Sequence, residues 1–448
     1  MRKLFGTDGI RAVAGQSPLD PRTIHAVGVA VARHVAKAGQ TPRIVLGMDT
    51  RESSTWIAAA ITAGLREGNA EVESAGVITT PAIAFLTHTH GFAAGIVISA
   101  SHNPWQDNGI KLFGPDGYKL PDATELAIEE EIFRQLATDA EPRADAEAPA
   151  VEEADRAEYV RSLLATVPGL SLNDRRIVID CANGAASAVA PQLFSDLGGE
   201  VRIRNASPNG RNINEQCGAL HPEVVAKYVI EDKADLGITF DGDADRALFA
   251  DENGRVVNGD AVMLLAARDL QSRGLLHDNT VVATTMSNMG LEAALKRSGI
   301  RMLRAPVGDK YVLEQMQKTN ASLGGEQSGH ILFTGKSTTG DGLLTALLLL
   351  DILHRNGSSL AKLIEDLKTF PQVIVNVKVR EKKPLEQIPS VAQKIQEAEA
   401  ALADSGRVVI RYSGTEALAR VMIEAEDEAA MKHHAEAIAN AIRTELGL

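Results

Sequence analysis

Two short strings in this chain carry residues that could do covalent and metal chemistry. The first is Ser99-Ala100-Ser101-His102-Asn103-Pro104, directly after the apolar run Ala93 to Ile98. A run of that length reads as a buried strand. A serine at its carboxyl end, followed by Asn-Pro, is held on a loop at the mouth of a sheet. The second is Asp241-Gly242-Asp243-Ala244-Asp245-Arg246, after the apolar run Leu236 to Phe240. Three carboxylates at i, i+2 and i+4 on an extended loop can converge on one hard cation and leave coordination positions open. A nucleophile loop and a triple-carboxylate loop, each at a strand end, point to metal-assisted phosphoryl transfer. Mg2+ is the expected cofactor, and a phosphate on Ser101 can supply the metal's further ligand.

Each string also has a plainer reading. The acidic one could be a solvated turn or a calcium-binding EF-hand, since Asp241, Asp243, Asp245 and Glu252 match that motif's first, third, fifth and twelfth positions. Arg246 occupies the sixth position, where the EF-hand turn needs Gly, and Ala247 to Ala250 reads as a strand. Ser101 is no nucleophile elbow, because G-x-S-x-G is absent, and a serine before Asn-Pro is by default a turn former. His102, its neighbour in sequence, is not expected to act as the base of a triad.

Other residues join the candidates more loosely. Lys111, in Asn108-Gly109-Ile110-Lys111, and Arg11, in Gly6-Thr7-Asp8-Gly9-Ile10-Arg11, are either surface charges or groups that hold charge and move protons beside a phosphate. Gly324-Gly325-Glu326-Gln327-Ser328-Gly329-His330 is a connecting turn or a loop whose hydroxyl, amide and carboxylate groups suit sugar hydroxyls. Arg411-Tyr412-Ser413-Gly414-Thr415-Glu416, with Arg420, can wrap a phosphate in N–H groups, hydroxyls and guanidinium contacts. It is not a P-loop, since G-x-x-x-x-G-K-[ST] is missing.

The elements that must position these residues alternate. Asp20-Pro21 opens a helix with a stripe at Ile24, Val27, Val31 and Val35, and Gly39 ends it. Arg43 to Met48 is a strand, Asp49 to Ser54 a polar loop, and Trp56 to Glu67 a helix. Ala137 to Asp155, poor in large apolar residues, is the clearest linker. Strands follow at 176–180, 200–204 and 236–240, with helices at 186–197 and 224–232. A third unit begins near Asn258, with strands at 280–284 and 302–305 and a helix at 291–297. From Pro371 the pattern becomes a smaller α+β unit. The first three segments share a rhythm that suggests diverged copies of one α/β fold, without a strict sequence period. The expected domains are 1–150, 156–255, 256–368 and 372–448.

At 448 residues the chain is too long for one core. Its 46 Lys and Arg against 59 Asp and Glu give a net charge of −13, which argues against a nucleic-acid surface. Two cysteines, Cys181 and Cys217, make no disulfide framework and fit a reducing cytoplasm. The first residues lack the apolar stretch of a signal peptide. Leu343 to Leu353 is too short to span a bilayer and reads as a buried core helix. No membrane or nucleic-acid partner is expected, and a homodimer is compatible with the sequence.

Taken together, FGTDGIR, SASHNP with NGIK, DCANGA, DGDADR, GEQSGH and RYSGTE with Arg420 resemble the α-D-phosphohexomutase superfamily, in that family's order and over the whole chain. Within it, Gln327 between Glu326 and Ser328 resembles the bacterial enzymes that act on glucosamine phosphate. The resemblance implies four domains around a central cleft, three related α/β units and a smaller C-terminal α+β unit. It implies an isomerase with a phosphoserine at Ser101 and Mg2+ held by that phosphate with Asp241, Asp243 and Asp245. It also implies sugar contacts from Glu326 and Ser328, and a phosphate grip from Arg411, Ser413, Gly414, Thr415 and Arg420. Arg11, Lys111 and His330 would assist proton transfers. The expected reaction takes glucosamine 6-phosphate to glucosamine 1-phosphate through a 1,6-bisphosphate, in the supply of UDP-N-acetylglucosamine. Rival readings are a glucose- or mannose-phosphate mutase, a Mg2+-dependent sugar phosphatase, and a non-catalytic phosphosugar sensor. One departure is Ala417, where the family usually has Pro; alanine leaves the loop's φ free.

Overall fold

Three fully buried strands, at Ala94–Ile98, Leu236–Phe240 and Leu323–Gly325, each run into a polar loop. A computed structural model describes residues 4–6, 8–36, 40–137, 150–412 and 417–448. The chain divides into two compact units, Met1–Met286 with Ile300–Glu365, and Ser287–Gly299 with Asp366–Leu448.

The first unit opens with β1 (Ile10–Val13), α1 (Pro21–Val35), β2 (Arg43–Met48), α2 (Glu52–Glu67), β3 (Glu71–Val77), α3 (Thr80–Thr89), β4 (Ala94–Ile98), β5 (Asp107–Phe113) and α4 (Asp122–Leu136). Here β2 lies between β3 and β4, all parallel, and β5 returns antiparallel beside β4 with β1 at the edge. After α5 (Glu153–Ala165) come β6 (Arg176–Asp180), α6 (Ala186–Ser195), β7 (Glu200–Arg204), α7 (Pro222–Asp232), β8 (Leu236–Phe240), β9 (Ala247–Ala250) and β10 (Val256–Val257). The pairing repeats: β6 lies between parallel β7 and β8, and β9 is antiparallel to β8. After α8 (Gly259–Ser272) it repeats again in β11 (Thr280–Thr284), α9 (Met289–Arg297, within the second unit), β12 (Arg301–Ala305), α10 (Asp309–Thr319), β13 (Leu323–Gly325) and β14 (Ile331–Phe333). Then follow α11 (Gly342–Asn356) and α12 (Leu360–Leu363). The threefold recurrence of one strand order bears out the expectation of diverged copies.

Local chemistry explains these elements. Asp20 caps α1 by accepting from the Thr23 N–H, and Pro21 presets the first helical φ. β4 and β8 are buried at every position, as strands covered on both faces must be. α1 and α2 approach closely at Gly28 and Gly64. A Cβ on Gly64 would sit 2.0 Å from the His25 carbonyl oxygen, so no larger residue fits.

The second unit contains β15 (Gln372–Lys378), α13 (Pro389–Leu402), β16 (Gly406–Tyr412), β17 (Leu418–Ala425) and α14 (Glu428–Leu446), with the antiparallel order β15-β17-β16. Val391, Val421, Ile423, Ile438 and Ile442 are among its core residues. α9 joins this unit: buried Glu424 accepts from Asn288 Nδ2 at 3.0 Å and from Arg407 Nε at 2.6 Å.

Two expectations need correction. α2 begins at Glu52, inside the expected polar loop, because its first turn is polar while its apolar face starts later. The expected linker ends early, since α5 starts at Glu153; Glu153 and Asp155 favour the positive end of the helix. Residues 138–149 of that linker, and Gly39, lie outside the described residues. The expected buried helix is α11, capped by Asp341, which accepts from the Leu344 N–H. Among the described residues no helix is long and apolar enough to cross a membrane.

Candidate active site

The three polar loops nominated from the sequence occupy one topological position. Ser101 lies between β4 and β5, Asp241 to Asp245 between β8 and β9, and Glu326 to Ser328 between β13 and β14. In every repeat this is the turn from the third, parallel strand to the fourth, antiparallel one. Such turns leave the carboxyl end of the parallel strands, where open α/β sheets place their ligand sites.

Within the first unit these loops meet. Ser101 Oγ donates to Asp241 Oδ2 at 2.6 Å, and both residues are buried. One carboxylate oxygen each from Asp241, Asp243 and Asp245 lies within 4.8 Å of the others. Ser101 has φ +52° and Ala244 φ +57°, a left-handed conformation that costs a non-glycine residue about 1–3 kcal/mol and collects at functional sites. The strain is held by surrounding bonds. The Ser101 carbonyl accepts from Arg51 Nη2 at 3.1 Å and Asn214 Nδ2 at 2.9 Å. Arg51 in turn pairs with buried Asp49, which also accepts from Ser99 Oγ at 2.6 Å. Thr80 Oγ1 donates to Asp243 Oδ2 at 2.5 Å, and the Gly342 N–H donates to the Ala244 carbonyl at 3.0 Å.

The carboxylates are not all satisfied by protein. Asp243 Oδ1 and Asp245 Oδ1 are buried and have no hydrogen-bond partner among the described residues. Burial, with Asp245 and Asp243 close by, pushes the Asp241 carboxyl well up. Hard oxygen donors, two of them orphaned, with like charges crowded together, fit a divalent cation such as Mg2+.

Lys111, on β5, is buried with Nζ 2.7 Å from Asp243 Oδ2, 3.5 Å from Asp245 Oδ2 and 3.2 Å from Asp8 Oδ2. Burial opposes its charge, but Asp243, Asp8 and Asp245 outweigh that and raise its pKa. It is therefore a fixed cation and not a surface charge. Asp8 also pairs with Arg11 and Lys119, and Lys119 Nζ lies 2.5 Å from Asp309 Oδ2. His330 completes a closed circuit, 3.7 Å from both Asp309 and Asp245. Burial lowers the His330 pKa, but Asp245 and Asp309 turn the net shift upward. The Gly340 N–H points at its Nε2 at 3.2 Å, which leaves Nδ1 for the proton facing Asp245.

His102 lies beside the serine, with its Nδ1 3.3 Å from Ser101 Oγ. The left-handed turn at Ser101 folds the two side chains together. Burial, helped by Arg246 and Arg11, pushes His102 down to about 4, so the ring is neutral at physiological pH. Glu326 accepts from the Gly308 N–H at 3.1 Å, and Ser328 Oγ approaches it at 3.4 Å. A cavity of about 220 Å³ is lined by Arg11, His102, Arg246, Asp309, Glu326 and His330, among others.

In the second unit, Arg411 stands directly opposite Arg420 across β16 and β17. Like charges in facing positions destabilise a sheet unless an anion balances them. Ser413, Gly414 and Thr415 lie outside the described residues. Sequence reasoning passed over Asp8, Lys119, Asp309, Arg51 and Asn214. Only Asp8 and Arg51 carried a signal, the first inside a nominated motif and the second in a polar loop after β2.

Comparison with known proteins decides the family. Four domain descriptions of phosphoglucomutase/phosphomannomutase match in order: alpha/beta/alpha domain I at residues 2–139, domain II at 157–254, domain III at 258–370, and the C-terminal domain at 374–441. A phosphoglucosamine mutase of Koribacter versatilis is 59% identical, over 100% of this chain and 98% of its own. The chain belongs to the phosphoglucomutase/phosphomannomutase family. It is thus a phosphohexomutase, with three related α/β domains and a smaller C-terminal α+β domain. A family protein from Burkholderia thailandensis has the same fold, with TM-score 0.79 at 22% identity and 100% of both chains covered. The N-acetylphosphoglucosamine mutase of Aspergillus fumigatus, solved with GlcNAc-6P and magnesium, superposes with TM-score 0.66 at 21% identity, covering 99% of this chain and 96% of that one.

Proposed function

We propose that this phosphohexomutase converts glucosamine 6-phosphate to glucosamine 1-phosphate, a cytoplasmic step toward UDP-N-acetylglucosamine. The observation that carries the reading is the 2.6 Å contact between Ser101 Oγ and the first of three converging aspartates. The substrate follows from the names of the closely similar bacterial relatives. The four domains are taken as 1–150, 156–255, 256–368 and 372–448.

Phosphorylated Ser101 gives its phosphoryl group to O1 of the sugar: the P–Oγ bond breaks, a P–O1 bond forms, and the O1 proton is taken up in the site. The 1,6-bisphosphate turns over and returns its 6-phosphoryl group to Ser101, releasing the 1-phosphate. Asp241, Asp243 and Asp245, with the Ser101 phosphate, would hold Mg2+. When bound, that ion neutralises charge on the transferring group. Lys111 and Arg11 hold charge at the transferring phosphoryl group, and His330 carries the proton. Glu326 and Ser328 take sugar hydroxyls. Arg411 and Arg420, with Ser413, Gly414 and Thr415, grip the phosphate that is not reacting.

Peptide mapping of the purified protein by mass spectrometry tests the mechanism: phosphate is expected on Ser101 and is absent from Ser101→Ala. Phosphate on another residue, or steady release of inorganic phosphate without need of a bisphosphate primer, overturns it. Assays on glucosamine, glucose and mannose phosphates test the substrate.

A further inference from the structure

A second cluster of metal-ligand types lies outside the loops described above. Glu73 on β3, His90 at the carboxyl end of α3 and Asp155 in the first turn of α5 each bring one ligand atom within 4.8 Å of the others. None of the three belongs to the serine, aspartate or sugar loops.

Two observations set this cluster apart from ordinary acidic surface. Asp155 is only 4% exposed, and its buried Oδ2 has no hydrogen-bond partner among the described residues. A buried carboxylate oxygen left unpaired is costly and calls for a cation or a proton. The second observation is the support around His90. Its Nε2 lies 3.1 Å from Glu158 Oε2, one helical turn beyond Asp155. In the neutral tautomer that donates Nε2–H to Glu158, Nδ1 carries the lone pair. A carboxylate behind an imidazole is how metal-ligating histidines are oriented. Glu73 is oriented too, since its Oε2 accepts from Arg43 Nη2 at 3.2 Å. Burial and the neighbouring Glu73 push the Asp155 carboxyl upward, against His90, which pulls it down.

We propose that Glu73, His90 and Asp155 form a second divalent-metal site, of the nitrogen-and-oxygen kind that Zn2+ takes, with Glu158 as the residue that positions His90. Tetrahedral ligands ~2.1 Å from Zn2+ lie about 3.4 Å apart, so small side-chain shifts close the site. Its role follows from where it lies. The Glu152 N–H donates to the Ser74 carbonyl at 2.8 Å, and Val151 bridges to Ser74. A bound ion would pin the start of α5 to the first sheet, where the chain leaves the first domain.

The test uses the full chain, stripped with chelator, dialysed against Zn2+ and assayed for metal by plasma mass spectrometry. Wild type is expected to hold two ions per chain, and Asp155→Asn and His90→Gln one each. Asp243→Asn should also hold one, because it leaves this cluster intact. Glu158→Gln should weaken the second ion roughly 10–100-fold. Asp155→Asn should keep mutase activity with Mg2+. If Asp155→Asn fails to fold, His90→Gln and the Zn2+-dependent rise in melting temperature of Asp243→Asn supply the answer. The proposal is overturned if Asp155→Asn and His90→Gln bind as many ions as wild type. It is equally overturned if Asp243→Asn binds none and Zn2+ does not raise its melting temperature.

Discussion

Asn214 Nδ2 donates to the carbonyl of Ser101 at 2.9 Å and to that of Asn103 at 3.1 Å, so a residue of the second α/β repeat grips the serine loop of the first. The grip holds Ser101 in its left-handed conformation. Asn214→Ala removes both bonds while Arg51 Nη2 still donates to both carbonyls, so the cost is about 0.5–1.5 kcal/mol. The expected outcome is a modest loss in denaturant stability with a larger fall in kcat. The chain should still take up phosphate on Ser101, only more slowly.

Lys111 balances three acids at once, buried Asp243 and Asp245 and half-buried Asp8. Lys111→Met leaves Asp8, Asp243 and Asp245 without that charge, and breaking a buried pair in this way costs about 3–5 kcal/mol. Denaturation without divalent ions should show this loss. Added Mg2+ should recover much of it, since a cation at the aspartates replaces the missing charge. Equal losses with and without Mg2+ would refute the shared-charge account.

His330 is placed by the main chain at Gly340. A Cβ on Gly340 would lie 2.4 Å from His330 Nε2, so Gly340→Ala must displace the imidazole. The expected result is a large drop in kcat, a small change in KM and an intact fold by circular dichroism. Unchanged kcat would show that the ring's position does not matter to proton transfer.

Asp341 gives a pH signature away from the aspartate loop. Burial pushes its carboxyl up to about 6, against hydrogen bonds from Leu344 and Tyr159 that pull it down. The folded pKa exceeds the unfolded one, so the folded state binds more protons between the two values. Its contribution to stability is therefore full below about pH 4 and is lost as pH rises through about 6. The loss is on the order of 2–3 kcal/mol at most. In Asn, Oδ1 can keep the cap of α11 while Nδ2 donates to Tyr159 Oη, and neither group ionises. Asp341→Asn should thus gain stability relative to wild type as pH rises from about 4.5 to 7.5 in parallel melts. A gap between the two proteins that stays constant with pH would contradict this.

The facing arginines of the second unit give a binding prediction. Arg420→Ala removes one of two like charges in register on β16 and β17. KM for the sugar phosphate should rise roughly tenfold or more, as expected when a charge-assisted contact to phosphate is lost. Steady-state kinetics on the variant check this, and an unchanged KM would contradict it.

Much of this protein was legible in the chain alone, because burial on both faces writes continuous apolar runs. Arg43–Met48, Arg176–Asp180, Leu236–Phe240 and Thr280–Thr284 are strands with the bounds read from sequence. Ser101 and the three aspartates were visible because they stand in polar strings directly after such runs. Helix starts were less legible: the polar first turns of α2 and α5 look like loop until packing shows which face they bury. What only tertiary structure decided is who meets whom. Asp8, Lys119 and Asp309 read as ordinary charges until the fold places them in one circuit around Lys111 and His330. The Glu73, His90 and Asp155 cluster joins a strand, a helix end and another helix with no motif at all. Propensity and periodicity are local, so they mark elements, whereas electrostatic partnership depends on distances that exist only once the repeats have packed.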